Sequence, residues 1–303
     1  MPDTLTPTKR PLLKRIFLSP EEPRLRAGWR LLIQTVLMLL IGIAVVIALS
    51  PLAHSGIKIN NELFSQVIEI VVVTGSVFLA RRLLDRRSIT SLGLKLESAA
   101  LIDILVGILI TFFMMGAIFL IEIGLGWLTF EGFAWQFESA KSVLVNALLM
   151  LAIFILVGWN EELISRGYHL QTLASGLNLF WGVVLSSAIF GVLHLANPNA
   201  TWLSAAGIFL AGLFLAYGYL ATRQLWLPIG LHIGWNFFEG VGFGFPVSGL
   251  DTYKLVRIAV SGPEVWTGGA FGPEAGLVVL PGLALGTALV LCYTKFLREG
   301  TNA

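Results

Sequence analysis

The run VLVNALLMLAIFILVGWNEELISR, residues 143–166, decides the fold class. From Val143 to Gly158 its only polar side chain is Asn146, and a helix rising about 1.5 Å per residue would carry it across about 30 Å of hydrocarbon. Comparable stretches lie near 31–53, 63–80, 102–126, 179–196, 202–221, 226–245 and 277–295. The 303 residues are 56% hydrophobic and 13% charged, against about 25% charged in ordinary soluble domains. Mean hydropathy is +0.83. These values exclude a water-soluble globule and predict an all-α protein, a polytopic membrane bundle of about eight transmembrane helices.

Outward from that run, residues 1–30 read as a basic, proline-rich tail, extended and cytoplasmic. Residues 31–298 read as the transmembrane domain and 299–303 as a short C-terminal tail. The run 31–53 is too long for a signal-peptide core and reads as an uncleaved first span. Placing both termini inside leaves only Lys58, Lys141, Lys254 and Arg257 of the 20 lysines and arginines on the far side, which predicts N-in and C-in. Trp29, Trp127, Trp181 and Trp226 fall at span ends as interfacial anchors. The glycine- and proline-rich stretch from Glu239 to Gly276 reads as the end of one span followed by a long irregular outer loop. A net charge of +2, with aromatics inside apolar runs, gives no sign of nucleic-acid binding. A single cysteine, Cys292, rules out an internal disulfide, a thiolate cluster and a dithiol pair.

Ionisable groups at membrane depth cost roughly 2.5–3.5 kcal/mol on insertion and mark function or a specific partner. Three places concentrate them: Glu161, Glu162 and Arg166; Phe190 and His194; His232 and Asn236. Glu162 and Arg166 have the spacing and order of a helical ion pair. Glu161 points about 100° away and stays free, so it is the better candidate base. If its helix turns near Gly176 and Leu177, the antiparallel return reaches the depth of Glu161 at His194. Phe190, one turn earlier, reads as core packing. His232 and Asn236 share a face, with Gly230 and Gly234 roughly opposite. Close packing on the glycine side would aim two potential oxyanion donors the other way; an interhelical polar pair that only glues the bundle is the alternative. His232 fits the depth of the other two groups only if the 143–194 hairpin protrudes and Asn197-Pro198-Asn199 dips into the membrane beside a wet cavity. That arrangement requires Arg166 to be buried. Glu69 and Glu122 have no matching partner, Asp103 and Glu239 read as interfacial, and His54 and His169 as solvated.

These three elements, in this order, resemble the CAAX protease and bacteriocin-processing family of intramembrane glutamic endopeptidases, also called the Abi family. The resemblance covers a core at about 143–240. Ser165 stands where many relatives carry an aromatic residue. The resemblance implies that Glu161 activates water with the help of His194, that His232 and Asn236 hold the oxyanion, and that Glu162 and Arg166 position the first carboxylate. It implies a bilayer-resident peptide or protein substrate, lipidated in the case of CAAX proteins, a bacterial plasma membrane location, and no cofactor. Zinc held by the two histidines and two glutamates is the metal-dependent variant. A catalytically silent scaffold and a proton-coupled transporter are the readings from other classes.

Overall fold

The computed structural model describes residues 11–20, 22–53 and 60–298. The expectations at 1–10, His54, Lys58 and 299–303 fall outside them. Apolar runs become helices where a polar side chain can cap the first turn. Asn60, Ser139 and Asn178 each accept a backbone N–H three residues on, and Thr201 forms a reciprocal capping box with Ser204, so an orphan donor at each of these N-termini is satisfied.

The long helices are α2 (Ala27–Ala53), α3 (Asn61–Leu83), α4 (Ala99–Gly124), α5 (Ala140–Gly176), α6 (Leu179–Leu193), α7 (Trp202–Thr222), α8 (Trp226–Asn236) and α9 (Val279–Cys292). Seven helices among the described residues are long and apolar enough to cross a membrane. The eighth, α8 with its π-helical extension Phe237–Gly242, is the innermost: every residue from Leu227 to Asn236 is buried. Its neighbours shield it from lipid, so it needs neither the length nor the uniform apolarity of an outer span. The chain is an integral membrane helical bundle.

Gly230 and Gly234 let α8 sit against α4, because a β-carbon at either would strike Ile104 or Ile108 and Thr111. This is the close packing expected of that face. The opposite face of α8 is thereby fixed toward α5 and α6.

Several expectations change. The tail is not extended throughout: a short helix α1 (Leu12–Phe17) forms, and Trp29 Nε1 donates to the Ile16 carbonyl. The outer segment is not structureless. β2 (Val256–Val260) pairs antiparallel with β1 (Leu128–Phe133), with a bulge between Phe130 and Gly132, and residues 264–275 form three short helical turns. Asp103 is buried rather than interfacial and holds Tyr293 Oη at 2.6 Å and Arg298 Nε at 3.0 Å. Glu239 is also fully buried. His169 is half-buried, not solvated, because the turn of α5 that carries it packs within the bundle.

Candidate active site

α5 runs straight through the acidic pair and switches to π-helical geometry over Leu163–Leu170, a local over-wide turn common at functional sites. Glu162 points into the bundle with its side chain 0% exposed, whereas Glu161 remains 30% exposed. Glu162 Oε1 accepts from Arg166 Nη1 at 2.7 Å and from His232 Nδ1 at 2.8 Å. The second bond was not visible in sequence. It ties Glu162 to His232 as well as to Arg166. Arg166 is buried, as the hairpin argument requires, and its Nη2 reaches the Gly212 carbonyl at 3.1 Å.

α5 turns after Gly176, and α6 starts at Leu179. The return places His194 Nε2 3.8 Å from Glu161 Oε2. Its Nδ1 lies 2.7 Å from the Phe190 carbonyl, a contact in which Nδ1 donates and Nε2 is left toward the cavity. Phe190 packs more specifically than core filling suggests. The Arg166 guanidinium lies 4.4 Å over its ring, and His232 meets it edge-on at 6.1 Å. From α8, His232 Nε2 comes within 3.7 Å of the same Glu161 oxygen.

Glu161, His194, His232 and Asn236 line one cavity of about 380 Å³. The geometry thus brings together all four side chains singled out from the sequence. Asn197 lines it too and donates to the Ser248 carbonyl at 3.0 Å. The 197–199 turn therefore lies under a roof made by the outer segment.

Other wall residues had no site role in the sequence analysis. Glu69 from α3 faces the cavity; its position on the stripe Glu62, Gln66, Glu69 was the signal that could have found it. Glu274, buried in the roof, accepts from the Ser248 N–H at 2.9 Å and its hydroxyl at 2.6 Å. Burial pushes its carboxyl up, and the Ser248 hydrogen bonds partly offset this. No sequence spacing links Glu274 to the motifs. Glu122 is buried with both carboxylate oxygens lacking a protein partner.

Among the described residues, no three of His, Cys, Asp or Glu are grouped as a metal ion would need. Glu162 Oε1 is committed to Arg166 and His232.

Residues 142–238, which contain all three motifs, match the family described as type II CAAX prenyl endopeptidase, Rce1-like. This stretch of the membrane bundle is similar to that family, in line with the resemblance. Over 105 residues the chain is 31% identical to an uncharacterized 24.3 kDa protein of Escherichia coli, covering 34% of this chain and 48% of that one. Over 111 residues it is 30% identical to YdiL of Bacillus subtilis (strain 168), named as a candidate membrane peptidase, covering 35% of this chain and 43% of that one. The chain thus spans about half the length of these relatives.

Proposed function

We propose that the protein is an intramembrane endopeptidase that hydrolyses a peptide bond with a carboxylate-activated water and no covalent intermediate. The observation that carries this is the approach of one Glu161 oxygen to Nε2 of both His194 and His232, in a cavity that Asn236 also lines. Glu161 is the accessible carboxylate and takes the water proton. His194, its ring fixed through Nδ1, presents an Nε2 lone pair that orients the same water. Asn236 Nδ2 donates to the developing oxyanion. His232 can add a second donor when its Nε2 is protonated, because Nδ1 is already engaged by Glu162. Glu162 and Arg166 act through His232 and through the helix.

The carboxylate mechanism needs no metal. Activity of the purified protein that survives a chelator supports it, whereas loss on chelation with recovery on adding zinc would replace it. The substrate is a membrane-resident peptide or protein, the membrane is a bacterial plasma membrane, and both termini face the cytoplasm. The decisive experiment compares protein termini in membranes from cells carrying the wild type, Glu161→Gln or His194→Ala, at equal protein level. New termini should appear only with the wild type. If both variants give the wild-type pattern while remaining folded, the enzyme reading fails and a scaffold takes its place.

A further inference from the structure

The cavity wall carries Glu62, Glu69, Glu161 and Glu274 and no lysine or arginine. Glu62 and Glu69 belong to α3 and lie with Gln66 and Val73 along a single stripe of that helix at intervals of four, three and four residues, which places them on one face. The rest of α3 is apolar enough to be a candidate span. An acidic row on such a helix is expensive unless it faces water or a cationic partner. A second, independent feature stands beside it. Asn160, the residue before Glu161, is 1% exposed and lines the cavity, yet neither its Nδ2 nor its Oδ1 has a protein hydrogen-bond partner. A buried carboxamide with both functions unmet is costly. It also presents one donor and one acceptor, the complement of a peptide group.

Resting on the proteolysis reading, we propose that the site takes a cationic peptide segment: Glu62 and Glu69 face a lysine or arginine side chain near the scissile bond, and Asn160 pairs with a peptide group of the same segment. An anionic segment meets like charge at Glu62 and Glu69 and is disfavoured there. Asn160 supplies both partners that a backbone amide loses on leaving water, so its contribution is independent of the substrate's side chains.

The test uses the full chain with Glu161→Gln, in lipid nanodiscs, so that binding is read without cleavage. The probes are three fluorescent octapeptides, acetylated and amidated, that differ only in carrying two Lys, two Gln or two Glu beside the central bond. The Lys peptide should bind at least about tenfold tighter than the Glu peptide, with Gln between. Adding Glu62→Gln and Glu69→Gln should shrink that ratio to about threefold or less, the residue of weaker screened charges. Asn160→Leu should weaken all three peptides by a similar factor, about tenfold, without lowering Tm, since it removes unmet polar groups from a buried place. Binding that ignores peptide charge, including no measurable binding by any probe, overturns the proposal, as does a preference that survives the double substitution. A lower Tm for Asn160→Leu with unchanged affinity makes Asn160 structural and overturns its part. Termini that depend on Glu161 while the probes bind without charge preference would leave proteolysis standing and sink only this inference. The reverse pattern would sink proteolysis and leave a cationic-peptide binding site.

Discussion

Glu161 and Glu162 are adjacent, chemically identical and differently placed, so one substitution has two outcomes. Glu161 is partly exposed to the cavity, and the two imidazoles approach it no closer than 3.7 Å. Glu161→Gln should therefore abolish Glu161-dependent terminus formation, by a factor of about 10² to 10⁴, with thermal unfolding within about 0.5 kcal/mol of the wild type. Glu162 is fully buried and neutralises a buried Arg166 while orienting His232. Glu162→Gln leaves that guanidinium without its anion, a loss of the kind that costs about 3–5 kcal/mol, and frees the imidazole. It should lower both Tm and activity. Equal Tm values for the two variants would show that the division of labour between the carboxylates is wrong. Phe190 belongs to the same balance. It is flanked by the Arg166 guanidinium and both imidazoles, so its ring packs against three charged or titratable groups at once.

At the scale of helices, Gly230 and Gly234 set the distance between α4 and α8, and through it the aim of His232 and Asn236. Gly230→Ala would drive a β-carbon into the Ile104 backbone, which cannot rotate away. It should destabilise by about 1–3 kcal/mol. Gly75→Ala, whose β-carbon would only touch Ile41 Cδ1 at 3.7 Å, should be neutral or stabilising because alanine is the better helix former. The unfolding temperatures of the two variants in one detergent check the contrast; similar shifts would mean that the contact yields. This glycine face was legible in sequence, as were the Glu162–Arg166 spacing and the α5–α6 hairpin that aligns Glu161 with His194. Each follows from helical periodicity and rise along one chain segment. What was not legible comes from long-range packing. The His232–Glu162 bond spans 70 residues, and Glu274 meets Ser248 from a segment that reads as loop. The π-helical stretches Leu163–Leu170 and Phe237–Gly242 leave no mark in composition, although each begins just after a site residue. The basic residues counted for topology gave no hint that Arg30 and Arg81 both bind the buried Asp85, with Arg24 3.8 Å away.

Over the whole molecule, the bundle is closed at two places. Just past the C-terminal end of α3, Asp85 ties α2 to α3; Arg30 also donates to Ser175 at 2.7 Å and Arg81 to Gln171 at 2.8 Å, which brings in the end of α5. Over the cavity, the outer segment is fixed to α7 and to the 197–199 turn. Gly207 lies against the Glu274 carbonyl and Gly249 against that of Pro198, each too close for a β-carbon. Glu274 is the ionisable part of this roof. Its carboxyl is raised above the ordinary value of 4.5, first by burial, so the folded protein retains a proton that the unfolded chain has already released. Its contribution to stability is therefore complete below about pH 4.5 and declines as pH rises through the folded-state value, with a slope of at most about 1.4 kcal/mol per pH unit for one proton. Glu274→Gln cannot ionise, and its carbonyl can still accept from Ser248. The difference in unfolding free energy between Glu274→Gln and the wild type should grow in favour of the variant as pH is raised from 4.5 toward neutrality, and proteolytic nicking of the 243–276 segment should slow in parallel. A difference that stays flat with pH would mean that this carboxyl ionises alike in the folded and unfolded chain, and the roof would then owe its closure to the glycine contacts alone.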